Sequence, residues 1–201
     1  MANWRDLNSR SAPGRAGAVV KANAYGLGVD PIVPALLKAG CDTFFVALPQ
    51  EGVAVRALAP EATIYVLNGV LDGQIATLTA HHLRPLLASA DHLHLWAQTD
   101  GAPYGLQVDS GMNRLGLRVD EALAMRDTLL PGCTHVMSHF ACADEPDHPL
   151  NGQQIESFQA VSAVYSDIES SLSNSAAIIS SGAHGHPLTR PGIALYGGAA
   201  V

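Results

Sequence analysis

Lys21 is the residue of this chain best suited to covalent chemistry. It is one of two lysines among 201 residues, and it ends the apolar stretch at 17–21. A lysine amine can condense with an aldehyde, and the four small or polar residues after Lys21 would let a phosphate group come close. The simpler interpretation is a lysine that points into water, but a chain that uses lysine only as a solvated charge usually carries many more. Lys38 is predicted to be structural, because a cation in the last helical turn before Gly40 suits the helix dipole.

Other polar residues follow apolar runs, at the positions where buried strands are expected to end. Asp109 and Arg114 follow one run, His139 ends the next, and the last two runs lead into Asn174-Ser175 and Arg190-Pro191-Gly192-Ile193. These side chains include a carboxylate, two guanidinium groups, an imidazole and a hydroxyl. Together with the lysine amine they would be suited to bind and convert a small anionic molecule, provided that the fold brings the strand ends together.

The pattern of apolar runs and helix signals predicts such a fold. Six clear apolar runs are rich in Val, Ile, Leu and aromatic residues, and two weaker ones lie near 170–174 and 188–192; the clear ones cover 17–21, 43–48, 63–68, 84–89, 104–109 and 134–139. Helix start signals lie between them, at Asp30-Pro31, Pro49, Asp120 and, with the capping-box partner Gln154, Asn151. Alternating strands and helices with about eight nearly continuous apolar strands predict an α/β fold, a (β/α)8 TIM barrel.

A doubly wound open sheet is the alternative, but no Gly-x-Gly-x-x-Gly turn follows the first strand. In a barrel, the catalytic groups lie at the C-terminal ends of the strands. A phosphate is commonly held after the seventh and eighth strands by backbone N–H groups and a hydroxyl. Ser175, Gly192 and Ile193 could supply these groups. The residues alone therefore predict a site for a phosphorylated aldehyde beside Lys21.

The composition excludes several classes of binding partner. With 48% hydrophobic and 14% charged residues the chain can bury one sizeable core, and its net charge of −7 argues against nucleic acid or an anionic membrane as the main partner. A small metabolite is expected instead. Cys41, Cys133 and Cys142 are odd in number, no apolar run could span a bilayer, and the start of the chain lacks the apolar stretch of a signal peptide, so we expect a cytoplasmic protein. His139 and Cys142 lack a second pair at ligand spacing, so no metal site is predicted.

Five short segments carry more information together than any of them alone. They are 21–26 (Lys-Ala-Asn-Ala-Tyr-Gly), 109–116 (Asp-Ser-Gly-Met-Asn-Arg-Leu-Gly), 138–141 (Ser-His-Phe-Ala), 173–176 (Ser-Asn-Ser-Ala) and 190–197 (Arg-Pro-Gly-Ile-Ala-Leu-Tyr-Gly). In order and spacing they resemble the barrel domain of the alanine racemase family. Five ordered motifs spread over most of the chain make coincidence a poor explanation.

The resemblance implies a cofactor and the residues that hold it. The cofactor is pyridoxal 5'-phosphate, bound covalently to the amine of the catalytic Lys21. Its phosphate is implied to contact two hydroxyls and two amides in the matching motifs, those of Tyr25, Ser175, Gly192 and Ile193, with Asn174 beside them. The remaining contacts are implied by residue: His139 against the ring face, Leu67 near the ring edge, Arg190 at the pyridine nitrogen, and Arg114 beside the phenolic oxygen and the substrate carboxylate.

Two of these implied roles have a clear physical reason. A guanidinium stays protonated and cannot give the ring nitrogen a full proton, so Arg190 would make the ring a weaker electron sink and favour reprotonation at Cα over transamination. Arg114 can pair with a carboxylate through two parallel hydrogen bonds. Without the motifs, Arg190 would be interpreted as a surface arginine before a proline turn and Arg114 as a salt-bridge partner.

Three positions differ from the usual pattern of the family. Gln107 stands where many members have a carboxylated lysine that orients the counterpart of Arg114, although a glutamine can still accept a hydrogen bond from that arginine. Leu27 replaces a common histidine. Ser171 stands where some members have a histidine that contacts the counterpart of Arg190. We interpret all three differences as tuning of the site.

The family pattern also predicts how the domain is organised. It continues into a second, largely β domain that supplies a catalytic tyrosine across the interface of a homodimer. We therefore expect residues 1–201 to be the pyridoxal-phosphate-binding barrel alone, shortened at its first helix and without the β domain. In that form it is expected to be poorly active or inactive.

Three functions remain open from the sequence. The favoured one is alanine racemisation by two-base proton transfer at Cα, which supplies D-alanine for peptidoglycan. The second is a pyridoxal-phosphate-binding barrel of the cofactor-handling type that does not racemise. The third is a Schiff-base aldolase or another sugar-phosphate barrel, in which Lys21 would act on the substrate directly. Visible imine absorption would separate the first two from the third, and an assay with alanine would separate the first from the second.

Overall fold

The computed structural model describes residues 1–200, and its helices and strands alternate along the chain. The helices are α1 (Ala2–Arg10), α2 (Lys21–Tyr25), α3 (Val29–Ala39), α4 (Pro49–Leu58), α5 (Ile75–Ala80), α6 (Ala90–Trp96), α7 (Val119–Ala124), α8 (Pro149–Val164) and α9 (Ser175–Ser180). The strands are β1 (Arg15–Ala16), β2 (Ala18–Val19), β3 (Thr43–Val46), β4 (Thr63–Val66), β5 (Arg84–Leu87), β6 (Tyr104–Asp109), β7 (Leu117–Arg118), β8 (Cys133–Met137), β9 (Glu169–Ser171) and β10 (Leu188–Thr189). Two short 3-10 helices cover Arg126–Thr128 and Ile193–Tyr196.

The strands are parallel, and their sheet curls into a barrel. They follow one another in the order β2-β3-β4-β5-β6-β8-β9, and β7 pairs with β6 beside this path. Strand β1 pairs with β10, and the amide of Gly17, between β1 and β2, donates to the Thr189 carbonyl at 3.0 Å, so β1 and β2 act as one strand. The amide of Arg190 donates to the Ser173 carbonyl at 2.9 Å and links the ends of β9 and β10. The predicted (β/α)8 barrel is confirmed.

Both faces of the barrel wall are apolar, because the helices cover the outside and side chains fill the inside. The interior layer contains Val19, Phe45, Tyr65, Leu86, Met137 and Leu188. Two of these rings, Phe45 and Tyr65, face each other across paired strands with centroids 5.3 Å apart. A larger cluster, which includes Trp4, Val33, Phe44, Ile64 and Phe158, packs between the strands and the helices. The barrel interior is therefore a packed core that supports the strand ends above it.

Most predicted strands are found, but several end earlier than the apolar runs do. Residues 47–48, 67–68 and 88–89 belong to predicted runs yet lie beyond the last strand residue. Sequence polarity does not mark this boundary, because some apolar side chains beyond the last strand residue, such as Ala47, still line the mouth of the barrel. Leu67 is another example, since it follows β4 and faces a cavity.

The helix start predicted at Asn151 is wrong. Helix α8 begins at Pro149, and the His148 side chain accepts from the Leu150 amide at 3.2 Å. A proline at the first helical position is pre-organised for the helix and has no N–H to satisfy. Asn151 and Gln154 lie inside the helix and bind the loop after β8. The predicted starts at Asp30 and Asp120 are off by one residue, because both aspartates lie in the first turns of α3 and α7.

Over residues 1–200, no helix combines the length and the apolar character that crossing a bilayer requires. The longest, α8, has 16 residues.

Candidate functional site

A cavity of about 800 Å³ opens at the C-terminal ends of the barrel strands. All ten residues predicted for the site line it: Lys21, Tyr25, Leu67, Arg114, His139, Asn174, Ser175, Arg190, Gly192 and Ile193. Gln107 also lines the cavity, whereas Leu27 is 57% exposed and is not among its lining residues. Asn68 and Asp144 are polar lining residues that the sequence motifs did not predict. The fold therefore brings together side chains that lie up to 172 positions apart in the sequence.

Lys21 and Tyr25 reach the cavity from a turn with an unusual backbone. Residues 22–25, which we call the left-handed turn, all have positive φ between 51° and 56°. The left-handed conformation costs about 1–2 kcal/mol per residue for side chains with a Cβ. In a helical turn, residues four apart project from the same side. The turn thus presents Lys21 and Tyr25 to one cavity, and contacts around it must hold its backbone.

Glu51 ties the left-handed turn to a neighbouring loop. Its Oε1 accepts from the Ala22 amide at 2.7 Å, and its Oε2 accepts from the amides of Ala47 at 2.7 Å and Leu48 at 3.1 Å. The Asn23 side chain accepts from the Val29 amide at 2.9 Å. The carboxylate of Glu51 therefore joins the left-handed turn to the loop after β3. The sequence signal for Glu51 was its spacing from Leu48 at the start of α4, which indicates a helix cap and does not reveal the contact with Ala22.

Ser175, Gly192 and Tyr25 form a small polar corner of the cavity. The Ser175 hydroxyl accepts from the amides of Gly192 at 2.9 Å and Ala194 at 3.3 Å. A Cβ on Gly192 would lie 2.5 Å from the Tyr25 hydroxyl oxygen, so a side chain here would have to displace the Tyr25 ring. The Tyr25 ring packs on Tyr196 with centroids 4.9 Å apart, and the Tyr196 hydroxyl donates to the Val19 carbonyl at 2.8 Å. The Gly192 amide, predicted to contact the phosphate, thus already donates to Ser175, and the hydroxyls of Ser175 and Tyr25 border a space that a small anion could occupy.

Arg190 is a buried cation on the wall of the cavity, and 3% of its surface is exposed. Its guanidinium donates to the Ser171 hydroxyl, to the carbonyls of Ser138 and Leu172, and to Nδ1 of His139. Each of these acceptors is neutral. Burial lowers the pKa of Arg190 to about 9, which leaves the group protonated at neutral pH. Ser171, interpreted from the sequence as a tuning position, is thus a direct contact of the arginine.

His139 faces the same cavity and is held neutral. Burial, aided by the positive charges of Arg190, Arg114 and Lys21, lowers its pKa to about 3. The Arg190 guanidinium donates toward Nδ1 at 3.4 Å, so the ring proton belongs on Nε2. Gln154, which is fully buried, supports the backbone here: its amide donates to the His139 carbonyl and accepts from the Ala141 amide, both at 2.9 Å.

Arg114 lies on the rim of the cavity in a loop organised by Asp109. The Asp109 carboxylate accepts from the amides of Gly111 at 2.8 Å, Asn113 at 3.1 Å and Arg114 at 3.1 Å. Arg114 itself is exposed. The hydrogen bond expected from Arg114 to Gln107 is not among those formed within residues 1–200, although both side chains line the cavity. The loop therefore fixes the backbone of Arg114 and leaves its guanidinium available to a ligand.

The charges around the cavity are unbalanced. Three cationic side chains face it, those of Lys21, Arg114 and Arg190, and Asp144 is the carboxylate among the described lining residues. Charges in a partly enclosed cavity interact more strongly than in bulk water. The cavity therefore favours a ligand with more than one negative group.

Comparison with known proteins agrees with this geometry. The family model described as alanine racemase, N-terminal domain, matches residues 1–200. A biosynthetic alanine racemase of Agrobacterium fabrum (strain C58) is 47% identical over 207 residues, which cover 99% of this chain and 53% of that protein. The chain spans about half the length of the curated relatives it matches.

Solved structures are similar over the same region. An alanine racemase from Bartonella henselae with covalently bound pyridoxal phosphate aligns with a TM-score of 0.90 and 35% identity, over 98% of this chain and 60% of that one. A biosynthetic alanine racemase from Pseudomonas aeruginosa aligns with a TM-score of 0.90 and 38% identity, over 100% of this chain and 59% of that one.

Proposed function

The chain belongs to the alanine racemase N-terminal domain family, and from this we propose that the protein interconverts L-alanine and D-alanine with pyridoxal phosphate in its cavity. The observation that carries the proposal is the meeting of Lys21, Arg190 and the Ser175–Gly192 corner around one cavity. An amine, a buried cation and two hydroxyl donors, those of Tyr25 and Ser175, match the aldehyde, the ring nitrogen and the phosphate of this cofactor. The D-alanine produced would supply peptidoglycan precursors.

The residues present fit the cofactor in shape and charge. The Ser175 hydroxyl already accepts two amide hydrogen bonds, so its own hydrogen is left to donate to a phosphate oxygen. Because Gly192 has no Cβ, a phosphate could approach the backbone of this residue beside the Tyr25 hydroxyl. Asn174 caps α9 by accepting from the Ala177 amide at 3.1 Å and so orients Ser175 beside it. When bound, pyridoxal phosphate supplies an electron-withdrawing ring that makes the Cα proton of an amino acid acidic.

Lys21 is proposed to hold the cofactor and then to move the proton at Cα. Its partly buried amine projects from the left-handed turn into the cavity, so it meets one face of a substrate bound there. Racemisation requires a second acid–base group on the opposite face. By resemblance, that group is a tyrosine of the second domain, supplied across the interface of a homodimer.

Arg114 and Arg190 are proposed to bind without exchanging protons. Arg114, free to move on the rim, would hold the substrate carboxylate through paired hydrogen bonds. Arg190 would direct a guanidinium N–H to the ring nitrogen and keep its own proton, since its pKa of about 9 lies above neutral pH. His139 would pack its neutral ring against the cofactor, and Leu67 would limit the space at the ring edge.

A homodimer and a cytoplasmic location are part of the same proposal. Leu115 and Ile193 line the cavity and are 45% and 46% exposed, so apolar surface surrounds its opening. Such a rim is suited to contact with another domain or subunit. Cys41, Cys133 and Cys142 are all free, which agrees with a reducing compartment.

The test is to add pyridoxal phosphate to the purified chain and record its visible absorption. Borohydride reduction followed by peptide mass analysis should locate the adduct on Lys21. Lys21→Ala should abolish the absorption, and Lys38→Ala, the matched control, should leave it unchanged. Loss of the Cα proton signal of D-alanine in deuterated water would then connect the cofactor to the substrate. An adduct on Lys38, or equal binding by Lys21→Ala, would contradict the proposal.

A further inference from the structure

A line of polar side chains crosses the barrel interior beneath the cavity. We call it the polar chain, and it consists of Arg15, Glu169, His135, Ser171 and Arg190. Arg15 and Glu169 are the first residues of β1 and β9, at the N-terminal face of the barrel, where both are partly exposed. Arg190 lies at the opposite end, on the wall of the cavity. The polar chain therefore links the partly solvated end of the barrel to the buried cation of the site.

The links of the polar chain are ion pairs or hydrogen bonds except the one between Glu169 and His135, where Nδ1 of the buried ring faces the carboxylate without forming a hydrogen bond within residues 1–200. Arg15 Nη2 lies 3.1 Å from Glu169 Oε1, and Glu169 Oε2 lies 3.5 Å from His135 Nδ1. His135 Nε2 lies 2.7 Å from the Ser171 hydroxyl, which in turn accepts from the Arg190 guanidinium. His135 is completely buried and packs against the Tyr65 ring with centroids 5.0 Å apart. The histidine thus lies in the middle of the core, where burying a polar ring costs free energy unless the ring is hydrogen-bonded.

The donors and acceptors can be satisfied in one direction only. A guanidinium donates and cannot accept, so the Ser171 oxygen must accept from Arg190. The Ser171 hydrogen then needs an acceptor, and His135 Nε2 is the group within reach. His135 must therefore carry its proton on Nδ1, which faces the Glu169 carboxylate. An imidazolium would place a second N–H on the Ser171 oxygen and leave the serine hydrogen without an acceptor.

The electrostatics agree with a neutral ring. Burial lowers the pKa of His135, and the charges of Arg190 and Arg15 act in the same direction, while Glu169 acts against them. The direction of the hydrogen bonds and the protonation state thus come from the same arrangement of neighbours.

We propose that His135, whose Nδ1 faces the charge of Glu169, is a positioning residue for Arg190 through Ser171. A lone serine hydroxyl rotates freely, but His135 gives its hydrogen a fixed destination and so keeps a lone pair of Ser171 on the guanidinium. The other acceptors of Arg190 are the carbonyls of Ser138 and Leu172 and the ring of His139, none of which is anionic. His135 therefore fixes the acceptor that Ser171 offers to a buried arginine, and Glu169 acts on the ring by its charge alone. This inference rests on the proposed function, in which Arg190 meets the ring nitrogen of the cofactor.

The tautomer can be tested on the protein without a cofactor. Long-range ¹H–¹⁵N correlation spectra of the chain distinguish a protonated ring nitrogen from an acceptor nitrogen, and His135→Gln identifies the signals that belong to residue 135. We expect Nδ1 to be protonated and Nε2 to be an acceptor at neutral pH. A proton on Nε2, alone or together with one on Nδ1, would overturn the inference.

The effect on the site is tested by pyridoxal phosphate titration of variants. His135→Phe and Ser171→Ala should each weaken binding about three- to tenfold, which is the range for one hydrogen bond. Both changes remove the hydrogen bond between His135 and Ser171. The double variant should therefore have a pyridoxal phosphate affinity no lower than that of whichever single variant binds less tightly. Effects that multiply would overturn the inference.

A matched control lies on the same strand. Ser170, next to Ser171, makes a 2.9 Å hydrogen bond to Nδ1 of His186, another buried histidine, which packs against Phe158 on the outer side of the barrel. His186→Phe should lower the melting temperature as His135→Phe does, but leave pyridoxal phosphate affinity unchanged. Equal loss of affinity in both variants would reduce the role of His135 to general packing and overturn the inference. If the unchanged chain bound no pyridoxal phosphate, the proposed function would fail, whereas the tautomer would still decide the direction of the polar chain.

Discussion

The Ala22 amide donates to the Glu51 carboxylate at 2.7 Å, and this bond joins two segments 29 positions apart in the sequence. One end of the bond lies in the left-handed turn that carries Lys21 and Tyr25, and the other lies in the first turn of α4. Positive φ at four consecutive residues is unfavourable when none of the four is glycine. The position of the lysine amine in the cavity therefore depends on a carboxylate that does not line the cavity.

We expect Glu51→Ala to release the left-handed turn. The variant removes an acceptor used by three amides, so the chain should lose about 1–3 kcal/mol of stability and also bind pyridoxal phosphate more weakly. Glu51→Gln keeps one acceptor oxygen, so its stability and its cofactor affinity should lie between those of the unchanged chain and those of Glu51→Ala. Denaturant unfolding and a cofactor titration measure both effects.

Glu121→Ala is the control for Glu51. Glu121 also accepts from a backbone amide, that of Arg118 at 2.8 Å, but it lies at the start of α7 and outside the cavity lining. The Glu121→Ala variant should be less stable than the unchanged chain but should bind pyridoxal phosphate equally well. Full affinity in Glu51→Ala would mean that the left-handed turn holds its shape without the carboxylate.

Gln154 is expected to be the strongest support of the loop that carries His139. Gln154→Leu keeps the approximate size of the side chain but leaves the His139 carbonyl and the Ala141 amide unpaired in a buried place, which costs about 1–3 kcal/mol. Gln159→Leu changes an exposed residue of the same helix and should stay within about 0.5 kcal/mol. Thermal or denaturant unfolding of both variants measures the difference, and equal stability of the two would contradict this role.

His139 should contribute to the pH dependence of stability. Its pKa is about 3 in the folded chain and about 6.5 in an unfolded one, so the unfolded state binds the extra proton first as the pH falls. The stability associated with a neutral His139 is complete above pH 6.5 and is lost progressively below it, by up to about 1.4 kcal/mol per pH unit. His139→Phe cannot titrate and should flatten this slope. Unfolding curves between pH 7 and pH 4 decide the matter, since equal slopes for both proteins would contradict the depressed pKa.

The sequence predicts the barrel and the membership of the cavity, but it does not predict the supports of the cavity. Lys21 was recognisable from its residue type at the end of an apolar run, whereas the roles of His139 and Arg190 came from the motifs that resemble the alanine racemase family. Gln154 was misinterpreted as a helix cap, because its spacing from Asn151 matches that signature while Pro149 starts the helix earlier.

Long-range contacts explain the other omissions. Glu51 meets Ala22, and His135 meets Ser171, only because neighbouring strands and their loops lie side by side in the barrel. No local pattern distinguishes a buried polar side chain of this kind from a helix cap or a packed strand residue. The direction of the polar chain likewise follows from which donors and acceptors face each other, and a sequence does not contain that information.

Gly192 provides a test that separates packing from binding. A Cβ at this position would lie 2.5 Å from the Tyr25 hydroxyl oxygen and 3.3 Å from the ring carbon that bears it, so Gly192→Ala should cost about 1–3 kcal/mol of stability. Tyr25→Phe removes the closer of these two atoms. The double variant should therefore regain part of the stability that Gly192→Ala loses. It should not regain cofactor affinity, because the Tyr25 hydroxyl is itself a proposed phosphate contact and the added methyl group still fills the corner. Unfolding curves and pyridoxal phosphate titrations of the three variants provide both readouts, and recovery of affinity together with stability would show that Tyr25 does not bind the phosphate.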